Sequence, residues 1–223
     1  MRIWRTISGK LVEILQESVP LSLDKMASKR DIMRFMLSDG AGAVLLQDHP
    51  EGTCPLKIEW VDMISYANEL PTCMFMASEL QENGRLKSWK EFFPDEIKER
   101  AVLVGKQDIR QLKKYIIKYW VDHIETVLAK HHVKAEEIDY VIPHVSSMFF
   151  YEKLNEETAA RNIALTKEKC FTNLTSVGNI GSAAIYVGLE ELIRTKGIKQ
   201  GDKILLLVPE SGRFSYGTVL LSL

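Results

Sequence analysis

Apolar residues along this chain fall into short blocks whose period switches between that of a strand and that of a helix. From Asp108 to His131, Ile109, Leu112, Ile116, Trp120, Ile124 and Val127/Leu128 recur every three to four residues. That spacing predicts one long helix with a single apolar stripe. "YVIP" (140–143) predicts a short strand, a helix is expected near 147–160, and "CFTNL" (170–174) reads as another strand. "SVGNIGSAAIYVGLEEL" (176–192) joins six small, glycine-punctuated residues to an amphipathic helix that runs to about Lys196. Gly197 and "KQGDK" predict a stop and a turn, followed by strand 203–209, the loop "ESGR" and a last strand "FSYGTVLLSL".

The upstream part is less regular. "LKIEWVDMISYA" (56–67) predicts a strand, and 78–100, polar and charged, predicts a loop-rich excursion. Two apolar runs over 34–46 flank Asp39-Gly40-Ala41-Gly42, a hairpin signal, because such turns need a positive φ that glycine adopts without steric cost. "SGK" (8–10) predicts a turn and "LVEILQ" (11–16) a buried strand. Ile3 and Ile7, four apart, predict the last turns of a helix over residues 1–7. Strands alternating with helices, closed by a terminal hairpin, give an α/β fold.

Composition narrows the function classes. The 223 residues are 46% hydrophobic and 26% charged, as in ordinary soluble domains, with a formal net charge of -1. That charge offers no electrostatic reason for nucleic acid or an anionic membrane as partner. The longest apolar runs are strand-length, too short for a bilayer, and the N-terminus has no signal-peptide pattern. Three cysteines (Cys54, Cys73, Cys170) without CxxC spacing argue against a disulfide framework or a zinc site and fit a cytoplasmic protein with no metal. No cofactor motif is present, since "GNIG" and "DGAG" lack the spacing of phosphate loops.

Two residues carry candidate chemistry. His144 follows strand "DYVIP", where α/β folds collect ligand-contacting groups. Asn179 sits in a Gly-flanked loop that opens a helix. Each has a plain structural reading: a packed histidine after a strand, and a turn or helix-cap asparagine. The functional reading takes them together. Two neutral N–H donors aimed at one thioester oxygen form an oxyanion hole, able to stabilise the enolate left when a malonyl group loses carbon dioxide.

The pieces "SGK…LVEILQES", "MLSDGAGAVLL", "IDYVIPHVSS", "VGNIGSAAIYVGLEEL" and the closing "IKQGDKILLLVPESGRFSYGTVLLSL" resemble, in order, the C-terminal portion of a β-ketoacyl-acyl-carrier-protein synthase III, a thiolase-fold condensing enzyme. The resemblance implies a thiolase-like α/β fold, with 1–100 the remainder of an N-terminal half plus an insertion and 101–223 the C-terminal domain. It implies that His144 and Asn179 are the paired oxyanion donors, and that Gly178, Gly181 and Ser182 keep the loop narrow and uncluttered beside the thioester arm of the substrate. The implied activity is acyl transfer by Claisen condensation of an acyl thioester with a malonyl-type extender, in fatty acid or secondary-metabolite synthesis. The implied partners are acyl carrier protein or coenzyme A thioesters, with a dimer as the assembly.

Departures from the family pattern qualify this. The family's nucleophilic cysteine lies before the "SGK" turn, where this chain has only Met1 to Ile7. It is therefore expected upstream of Met1, with this chain inactive alone, and none of the three cysteines takes over its role. Phe149 stands where an arginine that helps hold the carrier protein would fall. One half of such a fold leaves an apolar face uncovered, so a homo- or hetero-oligomer is expected. The alternative reading is a non-catalytic partner or scaffold subunit of a condensing enzyme. A third is an unrelated α/β domain in which His144 and Asn179 are structural.

Overall fold

"KILLLVPE" has almost no polar alternation, and its place in the fold gives the reason. The computed structural model describes residues 2–6, 37–50, 52 and 54–223. Its strands are β1 (Arg2–Thr6), β2 (Ala41–Leu45), β3 (Lys57–Ser65), β4 (Met74–Phe75), β5 (Ser78–Leu80), β6 (Leu86–Ser88), β7 (Lys106–Gln107), β8 (Tyr140–Pro143), β9 (Lys203–Glu210) and β10 (Ser215–Ser222). Its α-helices are α1 (Pro94–Glu99), α2 (Ile109–Lys130), α3 (Met148–Ala160), α4 (Leu174–Val177) and α5 (Ala184–Lys196). The main sheet has the order β3–β10–β9–β8, with β8 and β9 parallel and the other pairs antiparallel. β9 is therefore an inner strand. Leu205 and Leu207 enter the core of the α2 side with Leu112, Ile116 and Trp120, while Ile204 and Leu206 enter a second core with Ile185, Leu189 and Leu192 of α5. A strand covered on both faces reads as a continuous apolar run.

The long helix forms as its sequence predicts. Asp108 caps it, its carboxylate accepting from the backbone N–H of Arg110 (2.9 Å) and Gln111 (3.1 Å). Such a cap satisfies donors that the first turn would otherwise leave unpaired. Tyr216 of β10 donates its hydroxyl to the carbonyl of Ile116 at 3.0 Å, joining helix and sheet inside the core. At the far end of α2, Asp62 of β3 accepts from Lys130 Nζ (2.6 Å) and bonds His131 Nε2 (3.0 Å). The His131 ring stacks on Trp60 at 4.2 Å between centroids, 5° from parallel. The edge strand β3 is thus clamped to the helix, and the sheet draws on residues either side of Arg100. Its outer positions Val61 and Met63 are exposed, as are Leu45 and Leu46 at the end of β2. No helix among the described residues is long and apolar enough to cross a membrane.

Several upstream expectations are corrected. Residues 2–6 form a strand rather than the end of a helix: β1 runs antiparallel to β2, with Trp4 opposite Ala43. Strand pairing gives five residues long-range hydrogen bonds, whereas an isolated turn of helix is unstable on its own. Asp39 and Gly40 lead into β2, which pairs with β1; residues 34–36, the first run of the expected hairpin, lie outside the described residues. "CFTNL" is not a strand: Cys170 makes a single bridge to Val141, and the chain turns into α4. The 78–100 excursion holds the β5–β6 hairpin and α1. The turn expected at 8–10 and the strand at 11–16 lie outside the described residues. Strand 140–143 and the helix ending at Lys196 stand as predicted, with Gly197 in the left-handed conformation (φ 61°) that stops α5.

Candidate active site

His144 is the first residue after β8, and its backbone N–H is tied to the carbonyl of Leu207 on β9 at 2.8 Å. The strand end fixes the Cα, and the ring then distinguishes its two nitrogens. Nδ1 is sealed from solvent and has no hydrogen-bond partner among the described residues, whereas Nε2 is not sealed. Burial holds the imidazole below its usual protonation range, so it is neutral at neutral pH. A buried N–H without an acceptor is costlier and rarer than a buried lone pair without a donor. We therefore assign the proton to Nε2, the nitrogen that is not sealed.

Asn179 is oriented by its own loop. Its Oδ1 accepts from the backbone N–H of Gly181 at 3.2 Å, which turns the carboxamide so that Nδ2 is the group left over. Asn179 is 8% exposed, yet its Nδ2 is neither sealed nor bonded. Behind it, Gly178 has φ 79°, a conformation that costs glycine little and other residues much. A Cβ on Gly178 would lie 2.2 Å from Ser38 Oγ. Ser38 in turn donates its backbone N–H to the Asn179 carbonyl at 2.8 Å, and a Cβ on Gly40 would lie 2.8 Å from the Cβ of Ile180. The "DGAG" motif is therefore the backbone wall against which the Asn179 loop is pressed, and its glycines serve close approach.

His144 and Asn179 line one cavity of about 670 Å³, together with Gly181 and Ser182. Gly178 lines a small adjoining crevice of about 20 Å³ that also touches His144. The apolar stripe of α2 serves twice, since Leu112, Ile116 and Trp120 are both core residues and cavity wall. Ser146, Ser147 and Phe150 at the start of α3 were not singled out; the short stretch after a strand-end histidine was their only signal. Phe149 is half exposed at the same wall, with Lys113 Nζ 5.6 Å from its ring centroid. No cysteine lines the cavity. Burial raises the Cys73 thiol to about 11 and the Cys170 thiol to about 12, far from the thiolate character a nucleophile needs. Among the described residues no group of His, Cys, Asp or Glu could hold a metal.

Residues 128–223, which contain His144 and Asn179, match the family model "3-Oxoacyl-[acyl-carrier-protein (ACP)] synthase III C terminal". That stretch is similar to the C-terminal part of synthase III enzymes. The β-ketoacyl-[acyl-carrier-protein] synthase III of Aquifex aeolicus is 33% identical over 112 residues, 50% of this chain and 34% of that protein. The synthase III of Clostridium perfringens is 27% identical over 188 residues, 84% of this chain and 52% of its own length. The chain thus spans about half the length, or less, of the curated relatives it matches. Among solved structures, the A. aeolicus synthase III aligns with a TM-score of 0.54 at 26% identity, over 84% of this chain and 50% of that one. OleA of Xanthomonas campestris aligns with a TM-score of 0.63 at 16% identity, over 99% of this chain and 56% of that one. The fold of the chain is α/β and thiolase-like, as in these synthase III structures.

Proposed function

We propose that this chain contributes the carbonyl-stabilising side of a synthase III-type condensation site, with His144 and Asn179 as the two donors. The observation that carries this reading is that both residues line one shared cavity and each keeps one nitrogen, His144 Nε2 and Asn179 Nδ2, outside any hydrogen bond among the described residues. A malonyl-type thioester placed there breaks its C–CO2 bond, and the electron pair moves onto the thioester oxygen as an enolate. Neutral N–H donors held in a water-poor wall stabilise that oxygen without having to reorganise. The enolate carbon then forms a bond to the carbonyl of an acyl thioester, whose thiolate leaves. The acyl-bearing thiol is not one of Cys54, Cys73 or Cys170, so it belongs to a segment or subunit other than these 223 residues. The ligands of this reading are acyl thioesters of acyl carrier protein or coenzyme A.

A second reading, a binding or scaffold subunit without turnover, is favoured by one observation: no thiol lines the cavity. Carbon dioxide release from a malonyl thioester separates the two. The first reading expects release by the chain once it is supplied with the thiol-bearing segment or subunit, lowered about a hundredfold or more by Asn179→Ala or His144→Ala. Asn179→Asp, which puts an acceptor where the donor was, should be at least as damaging. The second expects tight thioester binding with no release. Release that is unchanged in all three variants removes the donor roles.

A further inference from the structure

A second polar pair, distinct from His144 and Asn179, lines the same cavity. Ser211, in the loop between β9 and β10, and Gln107 of β7 both border it. Gln107 Nε2 donates to Ser211 Oγ at 3.1 Å, joining residues 104 positions apart. Both are half-buried, and the cavity is open rather than sealed, since Lys113, Phe149 and Glu210 on its wall are exposed.

Each partner is fixed by bonds that do not involve the pair. The Glu210 carboxylate accepts from the backbone N–H of Gly212 and, at 3.0 Å, from that of Arg213, closing the loop on itself. A Cβ on Gly212 would lie 2.6 Å from Glu210 Oε1. Cys73 ties the two sides together: its N–H donates to the Gly212 carbonyl at 2.9 Å, and its carbonyl accepts from Asp108 at 2.8 Å. Gln107 itself pairs with Met74 of β4. Polar groups held in this way are aimed before a ligand arrives, which lowers the cost of ordering them on binding.

A serine hydroxyl has one proton and two lone pairs, and a glutamine amide has two protons and a carbonyl oxygen. The bond between them uses one amide proton and one lone pair. The Ser211 proton and Gln107 Oε1 then have no partner among the described residues, and neither oxygen is sealed. Their neighbours on the wall, Met74, Ile109 and Pro209, are apolar. The pair also stands apart from the donors. His144 is bonded to Leu207, and β9 runs three further residues to Glu210, about 10 Å of strand, before Ser211. An oxygen bound by the pair is therefore not the one held at His144 and Asn179.

We propose that the Gln107–Ser211 pair selects acyl thioesters that carry a second oxygen, a keto or hydroxyl group, several bonds along the acyl chain from the thioester carbonyl. The placing of the thioester end rests on the donor reading; the pair rests on its own bond and on the loop that holds it. A keto oxygen accepts from the Ser211 hydroxyl, and a hydroxyl also donates to Gln107 Oε1. A plain hydrocarbon at this place would cover both groups and return no hydrogen bond for the hydration they lose. One such bond in a half-open site is expected to discriminate about three- to tenfold.

The test is calorimetric binding to the full 223-residue chain. The probes are decanoyl-coenzyme A and its keto derivatives, with the single keto group moved outward along the chain at alternate carbons. No thiol lines the cavity to consume them. At one position in the series the keto ligand is expected to bind about three- to tenfold more tightly than the saturated one. Ser211→Ala should abolish that difference and leave the saturated affinity little changed, whereas Ser211→Thr, which keeps the hydroxyl, should preserve it. Thermal melts establish that both variants are folded. Keto and saturated ligands that bind alike at every position, or a difference that survives Ser211→Ala, overturn the proposal. A loss in Ser211→Ala shared equally by saturated and keto ligands overturns it too, because the oxygen bound would then belong to the amide-bearing arm of coenzyme A. The donor reading fails separately, in the carbon dioxide assay: release unchanged in His144→Ala and Asn179→Ala removes the oxyanion pair and leaves the keto preference standing.

Discussion

Ser38 and Asn179 are joined by a 2.8 Å hydrogen bond from the backbone N–H of one to the backbone carbonyl of the other. The bond links two glycine-containing stretches more than a hundred residues apart and fixes the height of the Asn179 loop. Gly178→Ala should therefore do more than add a methyl group. The new Cβ would meet Ser38 Oγ at 2.2 Å and sit at φ 79°. A loss of about 2–3 kcal/mol is expected in urea unfolding, with weaker binding of a malonyl thioester. Adding Ser38→Gly removes the clash but not the backbone strain, so the double variant should recover only part of the loss. Full stability in Gly178→Ala alone would show that the two stretches do not press together.

Acidification should destabilise the chain from a definite starting point. Burial is the first cause that holds His123 and His144 below the ordinary value of 6.5. The unfolded chain takes up protons at both as pH falls through 6.5, while the folded chain does so only at lower pH. Below 6.5 the unfolded state binds more protons, so stability is full above that pH and falls as pH drops towards the folded-state values. Each group contributes at most about 1.4 kcal/mol per pH unit. Urea midpoints measured from pH 7.5 to 5 should fall, and His123→Gln should make the slope shallower. A slope identical in the variant would show that His123 does not report the burial described.

The clamp between β3 and α2 divides unequally between its partners. Lys130 is mostly exposed, whereas Asp62 is largely buried and also holds the His131 ring against Trp60. Asp62→Ala is expected to cost about 1–2 kcal/mol and Lys130→Ala less than about 0.5 kcal/mol. Thermal or urea unfolding of the two variants, at low and high salt, decides this. Equal losses, or a loss in Asp62→Ala abolished by salt, would mean that the ion pair alone holds the strand.

The cysteines should behave as packed apolar groups. Raising a thiol from 9.0 to about 11, as at Cys73, cuts its thiolate fraction near neutral pH about a hundredfold, and Cys170 is raised further. Alkylation at pH 8 should be slow in the native chain and fast in urea, with modified Cys73 and Cys170 absent from early native digests. Rapid native labelling of either one would contradict its burial.

Much of this protein was determined by its sequence alone, because the relevant signals are local. The α2 stripe, the Asp108 cap, the "YVIP" strand, the Gly197 stop and the two-sided apolar run of β9 follow from residues a few positions apart. His144 and Asn179 also stood out in the sequence, as a histidine at a strand end and an asparagine in a glycine-flanked loop, and both line one cavity. Tertiary structure decided what those signals were used for. The Asp-Gly pair reads as a turn signal, and only the fold shows the loop of Asn179 lying against it. The α2 stripe reads as core until half of one face proves to border a cavity. "CFTNL" has the composition of a strand, yet only one bridge to Val141 is available to it. In each case the deciding neighbour lies far away along the chain, and no periodicity or turn chemistry records which distant backbone will be close enough to require glycine, or which apolar face will be left beside empty space.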